Sequence, residues 1–513
     1  MNPKENFDSN FGEASVPASR LVTSLASPID ASCRVPLLVL FSGAALWLVV
    51  GLLLSLAAVM TFHKPDMFAD CPLLTYGRVQ PAANDALLYG FCIPAGLGVM
   101  LWIFARLSRA ELALPLVPVV AANLWHFGVL VGVVAILLGD STGFVWLEFP
   151  RGGSALLFAA FLLIAISAVA TFGQRRECEL YPSHWFLLAA LLWFPWIYST
   201  ANLFLVAWPV RGVAQVAINS WFATNLIFVW LALVGLGTAF YFLPKLAGRP
   251  LQTYYLALFV FWTLILFGSW MGITVSAPLP AWMSAASSVA AALTLVPVLA
   301  VAIITFKTVR GVPHGGISCK GEPFCYIKFG TAAFVLSALM LIAEACPQIS
   351  RVIGFTWFGP AQVQLQILGF FTVVMSGAIH ELLPCVMGFG LPFPKLVRLQ
   401  HWLFMPGIVL WAGSLAVGGV AQGMKLGNPQ TAFADSTAAA LMFLRVGTTG
   451  LLFILLGSLL FATNIFIMTL KWKLALFKSL LAAFKAPLAT PSASASLRRD
   501  RAVAEGKGGE VKP

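Results

Sequence analysis

Few side chains in this sequence can do chemistry, and three of them lie inside long apolar runs. They are His126 and the adjacent pair His380 and Glu381. An imidazole can ligate heme iron or copper and can carry protons near neutral pH. His126 is therefore a candidate ligand of a lone heme, although no second axial ligand at a matching depth is evident. The His380–Glu381 pair is either a proton-relay or ion site, or a pair that reaches the helix end or a neighbouring subunit.

The eight cysteines form no CxxC or CxxCH motif, which argues against a covalently attached heme and against a cysteine-rich metal cluster. Cys71 and Cys346 fall in segments predicted to lie outside the membrane on the same side, where a disulfide is chemically allowed. Their pairing stays open, because a sequence gives no distance between two thiols.

The elements that must position these residues are membrane helices. The chain is 60% hydrophobic and only 10% charged, whereas a soluble domain carries roughly 25% charged residues. Apolar runs of about 20 residues, the length that crosses a bilayer, recur from Pro36 to Leu470. We count about twelve such spans, and the seventh is predicted over Leu256–Val275. The sequence therefore predicts an all-α, polytopic membrane protein.

Loop charge predicts the orientation. The loops after the even-numbered spans hold most of the basic residues, and such loops face the cytoplasm. Both termini are then cytoplasmic, and the net charge of +12 reflects membrane orientation and not a nucleic-acid partner. We expect a cytoplasmic tail over 1–35, a twelve-helix domain over 36–470, a basic amphipathic segment over 471–486 and a disordered tail over 487–513. The amphipathic segment could equally be the frayed end of the last span.

A short internal repeat indicates how the helices are arranged. Span six ends in the sequence Gly237–Pro244 and span ten in Ser376–Pro384, each with small residues before a proline. A weaker version ends span two at Leu101–Arg106. The period of four helices predicts three four-helix arcs around a pseudo-threefold axis.

Ordered motifs cover nearly the whole membrane region. They are Leu74–Pro81, Gly139–Pro150, Trp193–Asn202, Pro209–Gly212, Tyr241–Pro250, Pro278–Trp282 and Ala421–Gly423. By these segments the chain resembles subunit I of the heme–copper oxidases, in the branch of cbb-type cytochrome c oxidases and bacterial nitric oxide reductases. The resemblance implies twelve helices in three arcs, the inner (cytoplasmic) membrane of a bacterium, and other respiratory-chain membrane subunits as partners.

In the family that this chain resembles, six histidines hold two hemes and one copper ion. Carried over position by position, the resemblance places other residues at all of them. The heme-ligand positions are Ala83, Gln362 and Gln364, and the copper-ligand positions are Thr224, Thr274 and Val275. Alkyl and amide side chains do not replace imidazole well as ligands of iron or copper. No cofactor is therefore predicted, and a heme held in another way is the alternative.

Three functions are compatible with a retained scaffold and replaced ligands. The first is a non-catalytic structural or assembly partner in a respiratory complex. The second is a terminal oxidase or reductase whose heme has rewired ligands, at His126 or His380. The third is a carrier of ions or small molecules that uses the vacated cavity, lined by Thr224, Thr274, Gln362 and Gln364.

Overall fold

The computed structural model describes residues 28–251, 253–273, 277–310 and 322–485. Eleven helices in these ranges are long and apolar enough to cross a membrane, and a shorter apolar helix makes twelve. In chain order they are α1 (Pro28–Met60), α2 (Tyr76–Ser108), α3 (Leu116–Leu138), α4 (Arg151–Gly173), α5 (Pro182–Ala207), α6 (Ala214–Ala247), the short α7 (Tyr254–Gly268), α8 (Ala281–Val309), α9 (Glu322–Ala345), α10 (Phe358–Met387), α11 (Pro394–Leu426) and α12 (Phe433–Lys485). The described residues contain no β-strand, so the predicted all-α membrane fold is confirmed.

The helices pack as the repeat predicts. Neighbours in sequence lie side by side from α3 to α6 and from α7 to α10, while α1 packs on α2. Contacts between α11 and α12, where Gly407 meets Gly450, and between α12 and the end of α1, where Arg445 donates to Phe62 O at 2.9 Å, complete the third group. The last helix of each group, α2, α6 or α10, lies innermost, and these three contact one another.

The three inner helices share an irregularity. Each contains a π-helical segment, over Ala86–Cys92 in α2, Asn225–Trp230 in α6 and Leu365–Thr372 in α10. π-helical turns inside α-helices occur frequently at functional sites. Because each segment precedes the last four turns or so of its helix, the three stand at a similar depth in the bundle.

Several predicted boundaries differ from the observed ones. The first helix begins at Pro28 and not at Pro36, so part of the expected tail 1–35 is helical. The seventh ends at Gly268 and not at Val275. Four residues further on, Gly272 has a φ of 113°, in the left-handed region that only glycine adopts easily, so the chain is not helical there.

The chain divides into a unit up to Phe466 and a second unit from Ile467 onward. Within the described part of the second unit, residues 471–485 continue α12 as α-helix without a break. The remainder of the expected tail, from 486 on, and residues 1–27 lie outside the described ranges.

Candidate functional site

The described positions expected for metal ligands lie at a similar depth along the three inner helices. Ala83, Thr224 and Gln364 each lie one to three residues before the π-helical segment of an inner helix, and Gln362 lies two residues before Gln364. Thr274 and Val275 lie outside the described residues. The carried-over positions are therefore at a shared depth on α2, α6 and α10, as a common site requires.

The side chains at these positions are engaged with the protein. Gln362 is 3% exposed, and its Nε2 donates to Ser337 Oγ on α9 at 2.9 Å. Gln364 Oε1 accepts from Trp411 Nε1 on α11 at 3.5 Å. Thr224 lies against Gly272, where an added Cβ would overlap the threonine hydroxyl. The two glutamines are thus held by neighbouring helices.

These residues do not fit the heme and copper that the fold family implies. Ala83 is completely buried and has no donor atom. The other described positions offer amide and hydroxyl oxygens. These are poor substitutes for the imidazole nitrogens that hold heme iron and copper in the family that the chain resembles. In the part of the chain that the structure describes, no three His, Cys, Asp or Glu side chains are grouped as a metal ion would require.

Aromatic side chains occupy the interior beside these positions. The tip of the Phe370 ring of α10 points at Gly235 of α6, so closely that a Cβ would overlap the ring. Phe334 of α9 packs on Phe370 at 4.9 Å and on Phe228 of α6 at 5.9 Å, measured between ring centroids. The inner helices are therefore joined by apolar contacts at the level of the π-helical segments.

His126 of α3 lies against the neighbouring helix α1. Its ring covers Gly43 so closely that any side chain there would overlap it. The backbone of Val39 and Leu40 on α1 lies within hydrogen-bonding reach of the ring. Because the ring rests directly on the α1 backbone, no flat cofactor fits between His126 and this helix.

The predicted His380–Glu381 pair splits into two environments. His380 is 3% exposed, and its Nε2 lies 2.9 Å from Oε1 of Gln400 on α11. Its ring meets Tyr326 of α9 and Phe461 of α12 edge-on, at 5.9 and 5.3 Å. Glu381 is only half-buried and lies toward Tyr241 of α6. Each is therefore part of a different group of contacts.

A pair of buried carboxyl groups was missed in the sequence. Asp85, two residues after Ala83, is completely buried and faces Glu148 from the loop after α3. Tyr89, one turn further along α2, donates through its hydroxyl to Trp146 O of the same loop at 2.5 Å. Asp85 could have been found as the acidic residue directly before the second apolar run, but its neighbour Glu148 is 63 positions away.

Glu148 makes stability depend on pH. Burial raises the pKa of this loop carboxyl from 4.5 to about 7, because the charged form loses its hydration. The folded state then binds the proton more tightly than the unfolded state. The stabilisation is complete below pH 4.5 and is lost as pH rises through about 7.

We therefore expect the thermal midpoint in detergent to decrease as the pH is raised from about 5 to about 8. Glu148→Gln should make this decrease with pH smaller. Asp140→Asn is the control, because Asp140 is exposed in the same loop. An unchanged slope in Glu148→Gln would contradict the assignment.

The structure also settles the pairing of the two cysteines. Cys71 and Cys346 are both free thiols, so they do not form the disulfide considered above. His184, at the start of α5, is 2% exposed and lies between the rings of Phe104 and Phe172. A helix end in this protein can thus be buried by its neighbours.

Comparison with known proteins assigns the fold to a family. A family model described as cytochrome C and quinol oxidase polypeptide I matches residues 35–449. The chain is 26% identical over 449 residues to the cytochrome c oxidase subunit 1 of Rhodobacter capsulatus, covering 82% of each chain. It is 23% identical over 389 residues to the Cbb3-type cytochrome c oxidase subunit CcoN1 of Stutzerimonas stutzeri, covering 74% of this chain and 81% of that one.

The fold agrees with a solved structure. A heme-copper terminal oxidase dimer determined by cryo-EM contains a chain that superposes with a TM-score of 0.67 at 14% identity, covering 85% of this chain and 84% of that one. The architecture is thus that of a heme–copper oxidase subunit I, a multi-span membrane protein. The chain belongs to the cytochrome c and quinol oxidase polypeptide I family, as the motifs predicted.

Proposed function

We propose that this chain is a non-catalytic member of its family, which packs against other respiratory-chain subunits as a structural or assembly partner. Its location is the cytoplasmic membrane of a bacterium, with both termini in the cytoplasm, as the basic loops after the even-numbered helices favour. The basic stretch 471–486 would then follow the last span at the cytoplasmic surface.

The proposal rests on the residue types at the positions where the family's heme and copper ligands are expected. The described positions on the three inner helices hold Ala83, Thr224, Gln362 and Gln364. Gln362 is hydrogen-bonded to Ser337, and Gln364 to Trp411. The space beside them is bridged by phenylalanine rings. Without imidazole ligands for heme and copper, this scaffold is not suited to reducing oxygen. A role in binding other subunits is compatible with it.

The test is the cofactor content of the protein after gentle purification. We expect no Soret absorption, no pyridine hemochrome signal and no stoichiometric copper or iron by elemental analysis. A relative with the six histidines, purified in the same way, is the positive control. Two hemes and one copper per chain would overturn the proposal.

The rewired-ligand alternative has less support. The Nε2 edge of the His126 ring lies against Gly43, and Nε2 of His380 is hydrogen-bonded to Gln400. If a single heme is nevertheless found, its Soret band should disappear in His126→Ala or in His380→Ala.

The carrier alternative predicts a cavity lined by the replaced ligand positions. One groove of about 320 Å³ lies between α4 and α5 and is lined by residues such as Ser154, Tyr198 and Asn202. This groove does not include Thr224, Gln362 or Gln364. Liposome flux that is abolished by Gln364→Leu would favour a carrier over the structural role.

A further inference from the structure

The groove between α4 and α5 lies near one end of both helices. Its walls extend over Arg151–Phe158 at the start of α4 and over Tyr198–Ala207 at the end of α5. The first of these stretches rises about 10 Å, which is roughly a third of the ~30 Å hydrocarbon core. One turn deeper, the rings of Phe161 and Phe194 stack at 4.3 Å and join the two helices. The groove therefore reaches into one leaflet of the membrane only.

The polar side chains of the groove wall are already hydrogen-bonded within the protein. The hydroxyls of Ser154 and Ser199 and the amide of Asn202 each donate to a backbone carbonyl oxygen, at 3.3, 3.2 and 2.9 Å. The Tyr198 side chain lies within hydrogen-bonding reach of Ser154 and Asn202, and its ring stacks on that of Phe158 at 6.5 Å. A ligand lying along this wall would therefore be held by apolar contacts.

Arg151 adds a positive charge at the mouth of the groove. It is the first residue of α4, and its Nη2 donates to Val206 O at 2.8 Å, which holds the guanidinium against the end of α5. Arg151 is exposed and forms no ion pair with a described carboxylate. A guanidinium has five N–H donors, so several remain for a ligand. Their planar fork matches the oxygens of a phosphate group.

This combination fits a phospholipid better than it fits other occupants. An acyl chain needs an apolar groove within one leaflet, and a phosphate needs a cation at its mouth. Trp208, two residues beyond Val206, is 75% exposed, and tryptophan is enriched at the level of the lipid head groups. A membrane helix of another subunit crosses the whole hydrocarbon core, whereas this groove ends within it. A polar solute would need polar wall groups that are not already paired.

We infer that the groove between α4 and α5 binds one anionic phospholipid, with its phosphate on Arg151 and an acyl chain along Phe158 and Leu203. An anionic head group is preferred because a cationic amine beside Arg151 would be repelled by the guanidinium. In the orientation proposed above, the lipid belongs to the outer leaflet. Its binding requires no heme or copper, so it is independent of the proposed function.

The test is native mass spectrometry of the full-length protein, first stripped of lipid and then titrated with phosphatidylglycerol. We expect one lipid to bind more tightly than the rest, and more tightly than phosphatidylcholine. Arg151→Gln should weaken this binding by about tenfold or more, as the loss of a charge-assisted hydrogen bond predicts. Arg211→Gln is the matched control, because Arg211 is exposed in the loop after α5 and does not line the groove.

A second variant tests the apolar part of the groove without changing the charge. Ala155 is exposed on the groove wall, so Ala155→Trp should fill the groove and abolish the tight phosphatidylglycerol adduct. Ala159→Trp is its control, because Ala159 is exposed one turn further along α4 and outside the groove. Equal affinities in Arg151→Gln and Arg211→Gln would overturn the inference. Inorganic phosphate that binds as tightly as the lipid, and still binds to Ala155→Trp, would show a site for free anions instead.

A direct measurement covers the case in which the variants do not fold. A cryo-EM map of the unmodified protein in phosphatidylglycerol nanodiscs should show an acyl chain beside Phe158 and a head group at Arg151. A groove that is empty, or that is filled by a helix of a second copy, would overturn the inference.

Discussion

Replacing Gly423 by alanine should destabilise the protein by about 3 kcal/mol, the upper end of the usual range for adding a carbon to a packed contact. A Cβ at this position would overlap the carbonyl oxygen of Val352, in the short helix Pro347–Ile353 that precedes α10. Backbone cannot move aside as a side-chain end can, so α11 would have to separate from that helix. A Cβ at Gly419, one turn earlier, would likewise overlap the backbone nitrogen of Phe358. The two glycines form a G-x-x-x-G motif, which allows close backbone approach in membranes.

The measurement is the thermal midpoint in one detergent, with size-exclusion profiles as a check on folding. Gly413→Ala is the matched control, because it lies on the same helix and a Cβ there would meet nothing within 4 Å. We expect Gly413→Ala to be neutral or to stabilise by about 0.5–1 kcal/mol, since alanine favours helix more than glycine does. Equal midpoints for Gly423→Ala and Gly413→Ala would show that the α11 contact is looser than the structure indicates.

Replacing Asp30 by alanine should cost about 3 kcal/mol, the lower part of the range for breaking a buried ion pair. The Asp30 side chain is 4% exposed and lies 2.6 Å from Arg106. It also accepts a hydrogen bond from Trp102 Nε1 at 2.9 Å. The lower part of the range applies because the Arg106 side chain is 33% exposed and keeps some hydration. The variant leaves both donors of α2 without this acceptor.

The comparison variant is Glu322→Ala, which breaks the ion pair with Arg398. That pair has a similar distance of 2.9 Å, but its side chains are 32% and 65% exposed. Solvent screens such a pair, so the expected loss is about 0–1 kcal/mol. The double variant Asp30→Ala with Arg106→Met should recover part of the loss, because it removes the unpaired charge. A loss in Asp30→Ala no larger than that in Glu322→Ala would count against a buried ion pair.

Much of the fold could be predicted from the sequence, because hydropathy and loop charge act on whole segments. The twelve spans and the special role of α2, α6 and α10 followed from apolar runs and a short repeat. Helix ends did not, since polar first and last turns, such as Pro28–Arg34 of α1, carry no hydropathy signal. The left-handed backbone at Gly272, beyond the early end of α7, was not predictable either, since a glycine alone does not reveal its φ.

The candidate site was only partly predictable. Motif positions placed Ala83, Thr224 and Gln362 at a similar depth, because the order of motifs along a helix fixes how deep each one lies. The partners of these residues could not be predicted, since Ser337 and Trp411 come from other helices. The pairing of Asp85 with Glu148 and the burial of His184 depend likewise on contacts between segments that are distant in sequence.

The π-helical segments of α2, α6 and α10 have a consequence for how this family can diverge. A π-helical turn accommodates one residue more than the α-helical ladder does, and one residue in an α-helix corresponds to a rotation of about 100°. Deleting a single residue, such as Leu368 in the segment Leu365–Thr372, would therefore turn the C-terminal half of α10 by more than a quarter of a revolution relative to its N-terminal half. The π-helical segments thus fix the rotation of the expected ligand positions relative to the half of the helix that follows. Substitutions in one half can then accumulate without changing the direction in which the side chains of the other half point.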